Sequence, residues 1–206
     1  LLAVTGTNGK TTTSWLARQL LAPGRPGQGP VPVGLIGTVS VHDGRAMHDA
    51  RLTTPDPFEL SPLLARMVDH GCPFAVMEAS SHGLDQGRLA GVRLMTAIFT
   101  NLSGDHLDYH GTMDAYAAAK RRLFELLDPA GTAIVNVDDE RGESMAAAAR
   151  GRTIRVSAAN PSADLLVREL DRTIDGTRLH LAGPWGSGEV MVPLTGAYNA
   201  MNAAQA

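Results

Sequence analysis

Cys72 is the one cysteine among the 206 residues. A single cysteine forms no intrachain disulfide and no cysteine-rich zinc site, and it suits a reducing compartment. No apolar run reaches the roughly 18 residues of a membrane span. The opening Leu1-Leu2-Ala3-Val4 has no basic leader and no cleavage site, so it is not expected to be a signal peptide. Positive charge is not in excess, because 18 Lys and Arg face 21 Asp and Glu for a net charge of −3. A general polyanion-binding surface is not expected, while a local basic pocket is not excluded. Repeats and low-complexity tracts are missing too. A monomeric, cytoplasmic protein that binds neither nucleic acid nor membrane is expected. What is present is a globular composition, 44% apolar and 19% charged, with enough chain to bury a core. Leu1 opens directly into an apolar run and Ala206 stops inside a helical pattern, so the chain is expected to be a segment of a longer protein.

Strand-like and helix-like stretches alternate along the first three quarters. Residues 1–5 form a short apolar run before a glycine turn, and residues 10–21 read as a helix with Trp15, Leu16 and Leu20 on one side. Residues 23–32 hold four prolines and three glycines and read as a loop. A strand is expected over 33–41, followed by a hairpin turn at Asp43-Gly44. Residues 57–70 predict a helix with Leu60, Leu63, Leu64, Met67 and Val68 inward. Buried strands are expected over 74–77 and 94–100. A helix is expected over 112–127 with Thr112 as N-cap, then a strand over 132–137 and a helix over 140–149. Beyond about residue 159 the period becomes two, over 165–170, 177–181 and 189–192, with Asp175-Gly176 and the Gly186–Gly188 stretch between. That is an antiparallel meander, and residues 198–206 return to helix. The fold expected is α/β: a P-loop-type, mostly parallel sheet flanked by helices, with a small antiparallel sub-sheet near the C-terminus. The βα body takes 1–159, the meander 160–195 and the last helix 197–206.

The strongest motif is Gly6-Thr7-Asn8-Gly9-Lys10-Thr11-Thr12, between the first strand and the first helix. Backbone N–H groups and a helix N-terminus converge there, and both favour anions. Gly6 and Gly9 let phosphate approach the backbone. Lys10 can reach β- and γ-phosphates, and the Thr11 hydroxyl can ligate Mg²⁺. The strict Walker spacing is not met, because Val4 stands where its first glycine belongs. No G-x-G-x-x-G is present, which disfavours a dinucleotide fold. An ordinary glycine turn with an exposed lysine is the bland alternative.

Other residues carry chemistry open to more than one role. Glu78 ends a buried strand, where ligands of open α/β sheets bind, and can bridge Mg²⁺ or serve as a cap or ion-pair partner. His106 follows the next buried strand, yet imidazole is an unusual Mg²⁺ ligand. His106 and His110 stand i, i+4, a zinc spacing, but H-E-x-x-H and a cysteine cluster are lacking. His82 and His110 read as structural or rim residues. Arg88 suits a carboxylate clamp or a solvated surface. Asp43, Asp49, Asp56 and Asp85 read as turn residues. Lys120 lies mid-face on the apolar stripe of Met113, Tyr116, Leu123, Phe124 and Leu127, which breaks the amphipathic pattern. Either its stem is buried with the ammonium in solvent, or its amine is buried with a lowered pKa.

The shortened phosphate loop resembles that of the Mur ligase family and its folylpolyglutamate synthetase relatives. Four further stretches are similar to the MurE branch. They are Thr53-Thr54-Pro55-Asp56-Pro57, Met77-Glu78-Ala79-Ser80-Ser81-His82-Gly83-Leu84, the run from Thr100 to Gly111 with Asp105-His106-Leu107-Asp108-Tyr109-His110, and Gly196-Ala197-Tyr198-Asn199-Ala200-Met201-Asn202. Ala118-Ala119-Lys120 fits as well. The resemblance spans nearly the whole chain and implies the central ATPase domain alone, without the family's N-terminal uridine-nucleotide domain and C-terminal amino-acid domain. It implies ATP-dependent amide formation through an acyl phosphate, on UDP-MurNAc-L-Ala-D-Glu with meso-diaminopimelate or L-lysine as the incoming diamino acid. The implied ATP residues are Gly6, Thr7, Asn8, Gly9, Lys10, Thr11, Thr12 and Asn199, the last on adenine unless it caps the helix. Thr53, Thr54, Ser80, Gln86 and Arg88 are implied to hold the muramoyl-peptide. Lys10, Glu78, His106 and Lys120 are implied to be catalytic. Mg²⁺ is implied on Thr11, Glu78, His106 and Lys120, the lysine as a carbamate. A folylpolyglutamate- or cyanophycin-type ligase, or a nucleotide-binding module without ligase chemistry, remains the alternative.

Overall fold

A computed structural model describes residues 1–23, 27 and 29–206, so part of the loop expected over 23–32 (residues 24–26 and 28) lies outside the described residues. Eleven strands among the described residues join one sheet in the order β11-β10-β9-β8-β7-β6-β1-β5-β2-β3-β4. β1 (Leu2–Thr5) sits between β5 (Phe74–Glu78) and β6 (Leu94–Phe99), parallel to both. β2 (Val33–Ile36) continues the parallel part beyond β5. β7 (Leu127–Asn136) and β8 (Arg152–Ser157) continue it beyond β6. β1, β2 and β5 are buried on both faces, so they read as apolar runs without alternation. The period of two shows instead in where neighbours go. Ala3, Met77, Ile36 and Phe99 enter one core, and Val4, Val76, Leu35 and Ile98 enter the other. The first core is closed by α2 (Pro57–Asp69), α5 (Met113–Glu125) and α6 (Gly142–Ala148). The second is closed by α1 (Lys10–Leu21), with α7 (Ala197–Gln205) covering the β8 side.

Both sheet edges are antiparallel. β9 (Leu165–Thr173), β10 (Gly176–Gly183) and β11 (Gly186–Val192) form the expected meander. It is not a separate sheet, because β9 pairs in parallel with β8 at Val156 and Ser157. The other edge corrects an expectation. Residues 33–41 are not one strand: the chain reverses after Ile36, Gly37 N donates to Ser40 O at 3.1 Å, and β3 (Ser40–His42) returns antiparallel to β2. The Asp43-Gly44 turn then leads to β4 (Met47–Asp49), with the Asp43 carboxylate accepting from Arg45 N and Ala46 N.

β8 was not expected. Its signal is Ile154 and Val156 alternating with polar neighbours, and both are buried. Two short helices were also not expected: α3 (Ser81–Asp85), capped by Ser80, and α4 (Leu107–His110). The buried residues of α1 are Thr13, Ser14 and Ala17; Trp15 and Leu16 are half-buried, Trp15 packing on the second core, and Leu20 is exposed. The small residues let α1 lie close to β1, β2 and β5. On α2, Leu60 and Met67 are buried, Leu63 and Leu64 half-buried, and Val68 faces solvent. α5 follows its expected stripe through Tyr116, Lys120, Leu123 and Phe124 but ends at Glu125, and Leu127 opens β7 instead; Thr112 Oγ1 accepts from Ala115 N at 3.1 Å. No helix among the described residues is long and apolar enough to cross a membrane.

Candidate active site

The C-terminal ends of the parallel strands meet on one edge of the sheet. β1 runs into the glycine loop, β2 into Gly37-Thr38, β5 ends on Glu78, β6 leads to Thr100-Asn101 and β7 ends near Asn136. Such an edge is where open α/β sheets take their ligands. Two glycines are demanded by the loop. Gly6 has φ 153° and Gly9 has φ 86°, and a Cβ on either would collide, with Thr100 Oγ1 at Gly6 and with Asn202 Oδ1 at Gly9. Gly9 is the N-cap of α1 and no side chain caps it, so the first-turn N–H groups stay available to an anion.

The loop is braced from β6. Thr7 N donates to Asn101 O at 2.9 Å and Asn8 N to Asn101 Oδ1 at 3.0 Å. Thr100 Oγ1 donates to Asn8 O at 2.6 Å. Two lysine amines meet on this loop. Lys10 Nζ donates to Gly6 O and Thr7 O, both at 2.9 Å, and Lys120 Nζ donates to the same Gly6 O at 2.8 Å. Lys120 is 1% exposed, and its Nζ lies 4.4 Å from the centre of the Tyr116 ring. Burial, reinforced by the Lys10 charge and opposed by Asp105, pulls the Lys120 pKa down to about 6. Burial lowers the Lys10 pKa as well, with Glu78 and Asp105 opposing. Of the two accounts of Lys120, the buried amine is the one realised.

Glu78 is buried and accepts from Thr11 Oγ1 at 3.1 Å, Thr38 N at 3.1 Å and Thr38 Oγ1 at 2.9 Å. Thr38 Oγ1 also meets Thr53 Oγ1 at 3.0 Å. Thr38 was missed in the sequence because it follows a strand end that was read as strand interior. A cleft of about 210 Å³ lies between the loop, Thr38 and Glu78. A larger one, about 700 Å³, lies between the loop, residues 100–103, Asn136 to Asp139 and the start of α7. Asn199 lines it; Asn199 Nδ2 donates to Thr195 O at 2.8 Å, and Asn199 Oδ1 accepts from Asn202 Nδ2 at 3.2 Å. Gly196, not Asn199, is the N-cap of α7.

His106 is the one non-glycine with positive φ (52°) among the described residues, a conformation that accumulates at functional positions. Its ring meets His82 edge-on at 4.9 Å and Tyr116 at 6.1 Å. On the substrate side, Thr54 is buried, donating to Glu78 O and accepting from Ser80 N, and Ser80 Oγ accepts from Gly83 N. Arg88 donates to Thr54 O at 2.7 Å and to Gln86 Oε1. Tyr109 joins this group, donating to Asp85 Oδ2 at 3.0 Å. Asp85 also pairs with Arg122 at 3.0 Å.

The chemistry of the donors fits Mg²⁺ on one side of the loop: a hydroxyl and a buried carboxylate whose hydrogen-bond donors are all neutral are hard oxygen ligands. The four expected ligands fall into two pairs. Thr11 and Glu78 touch, while His106 and Lys120 both border Tyr116. No group of three or more His, Cys, Asp or Glu side chains is gathered for a metal ion among the described residues.

Residues 4–206 match the profile of the Mur ligase middle domain. The chain belongs to the Mur ligase family. This Mur ligase domain is 45% identical over 209 residues to the UDP-N-acetylmuramoyl-L-alanyl-D-glutamate–2,6-diaminopimelate ligase of Parasynechococcus marenigrum (strain WH8102), covering 100% of this chain and 41% of that protein. It is 42% identical over 202 residues to the ligase of the same name from Gloeobacter violaceus, covering 98% of this chain and 40% of the relative. A solved structure of a ligase of that name superposes with a TM-score of 0.85 at 36% identity, over 98% of this chain and 41% of that one. These relatives bear out the resemblance to the MurE branch. The domain spans about 40% of the length of the curated relatives.

Proposed function

We propose that this domain is the ATP-binding core of a cytoplasmic, monomeric ligase that adds a diamino acid to UDP-N-acetylmuramoyl-L-alanyl-D-glutamate. The diamino acid is 2,6-diaminopimelate, the one in the relatives' names. The observation that carries the proposal is the buried Lys120 amine resting on the phosphate loop's own carbonyl. Nucleotide binding alone has no use for a second, uncharged lysine there. With a pKa of about 6, Lys120 Nζ is neutral at pH 7 and can attack carbon dioxide. The N–C bond forms, one amine proton leaves to water, and the product is an anionic carbamate.

In this reading the Gly6–Thr12 loop and Lys10 take the ATP phosphates, and Asn199 faces adenine with one donor and one acceptor. Thr11, Glu78, His106 and the Lys120 carbamate would hold Mg²⁺, which when bound neutralises the charge that builds as phosphate is transferred. Thr53, Gln86 and Arg88 take the muramoyl-dipeptide, with Thr54 and Ser80 bracing the turn that carries them. Arg88 would offer its fork to a carboxylate by exchanging Gln86 Oε1, on which its Nε and Nη2 now rest, for the substrate's oxygens. The D-glutamyl side-chain carboxylate attacks the γ-phosphorus, the bond to ADP breaks, and an amine of the diamino acid then displaces phosphate. Lys10 holds positive charge where two anions must approach.

The test uses the full-length protein with ATP and Mg²⁺. ADP release that requires UDP-MurNAc-L-Ala-D-Glu, and tripeptide formation that requires 2,6-diaminopimelate, are expected. ADP release that responds instead to a folylpolyglutamate or cyanophycin primer would overturn the substrate assignment. Nucleotide binding with no ligation of any of these would reduce the domain to a binding module.

A further inference from the structure

Tyr116 is fully buried, and its place on the apolar face of α5 gives no hint of a polar task. Its hydroxyl lies 3.1 Å from Thr7 Oγ1, a contact across 109 residues of sequence. Thr7 Oγ1 also accepts from Ser103 N at 2.9 Å and donates to Ser103 O at 3.3 Å. With the Thr7 proton committed to Ser103 O, Tyr116 is the donor in the shared bond. The ring has little freedom to swing. Lys120 Nζ stands over its face, and His110 packs on it with ring centres 5.1 Å apart. Thr7 itself is half of the Lys10 seat, because Lys10 Nζ rests on Gly6 O and Thr7 O. A shift of Thr7 therefore moves the cation that meets phosphate.

We propose that Tyr116 is a positioning residue of the phosphate loop: through its hydroxyl on Thr7 it ties the loop, the Ser103 segment and α5 into one rigid seat for the nucleotide. The inference rests on the reading above only in taking the loop's ligand to be ATP. The bond lost in Tyr116→Phe removes no apolar contact, so the ring's packing with Lys120 and His110 persists.

The experiment is a calorimetric titration of the full-length protein with Mg²⁺ and a non-hydrolysable ATP analogue, for Tyr116→Phe, Thr7→Val, their double mutant and Thr7→Ser. Tyr116→Phe is expected to weaken binding about fivefold, the worth of one net hydrogen bond, and Thr7→Val by more, because it also loses both bonds to Ser103. The double mutant is expected to be no weaker than the worse single, because both remove the same bond. Thr7→Ser, which keeps the hydroxyl, is expected to weaken binding less than Thr7→Val does. In the ligase assay the KM for ATP rises in Tyr116→Phe while the KM for the muramoyl-dipeptide holds, a split that general loosening of the fold would not produce. Wild-type affinity in Tyr116→Phe, additive losses in the double mutant, or equal rises in both KM values would overturn the proposal. If the wild-type protein binds the analogue but ligates nothing, the reading of function fails while the titrations still decide the role of Tyr116.

Discussion

A single amine decides most of what can be measured here. Among the described residues, Lys120 Nζ has one hydrogen-bond acceptor, Gly6 O, and a ring face for company. Its folded pKa of about 6 lies below the ordinary lysine value, so the amine is charged below that pH and neutral above it. Carbamate needs the neutral form. In decarbonated buffer, ligase activity of the full-length protein is expected to return on adding bicarbonate at alkaline pH and not below pH 6; equal recovery on both sides would refute the carbamate. Lys120→Ala is expected to lose activity by about a hundredfold, the usual size for removing an electrostatic stabiliser, and to regain part of it with short-chain carboxylates. Full activity in that variant would remove Lys120 from the mechanism. Asn199 supports a simpler expectation. Asn199→Ala should weaken ATP binding about tenfold through loss of a paired donor and acceptor. An affinity unchanged within about twofold, with the fold intact, would take adenine away from Asn199.

Among the elements, α5 was legible because its apolar stripe is wide and its one lysine stands in the middle. The helix had to bury that lysine, since Tyr116, Leu123 and Phe124 on the same face are buried. The β2–β3 reversal was not legible, because the apolar period runs on through residues 33–41 and only the Gly37 N to Ser40 O bond marks the turn. The β3–β4 hairpin shows a similar dependence on contacts distant in sequence. Asp43 is buried at its tip, holding Arg45 N and Ala46 N, with His48 Nε2 at 3.2 Å and His70 Nδ1 on its carbonyl at 2.9 Å. These donors, the two backbone N–H groups above all, hold the Asp43 carboxyl well below the usual carboxylate range. A depressed folded pKa contributes stability above the unfolded value of about 3.9, lost as pH falls toward the folded one. Asp43→Ala should therefore lower the melting temperature at neutral pH, with the difference narrowing toward about pH 2. A gap that stays constant with pH would show that the carboxylate's charge is not what holds the hairpin.

At the scale of the whole molecule, one sheet edge collects loops from five strands, and the domain spans about 40% of its relatives' length. The domain alone is expected to bind ATP·Mg²⁺ weakly and to form no amide, because ligation needs two further substrates held in line. Amide synthesis by these 206 residues would refute this. The strand–glycine turn–helix order, the buried strands ending on polar residues and the misplaced Lys120 were all determined by sequence, because each is a local pattern of residue type and spacing. Glu78 and Thr11 were nameable, yet their 3.1 Å contact depends on β1 and β5 lying side by side. Only tertiary structure decided that Lys10 and Lys120 share the Gly6 carbonyl, that Thr38 closes the Glu78 carboxylate and that Tyr116 reaches Thr7. Those contacts join residues far apart in the chain. Their partners are set by strand order and helix packing, which no local pattern encodes.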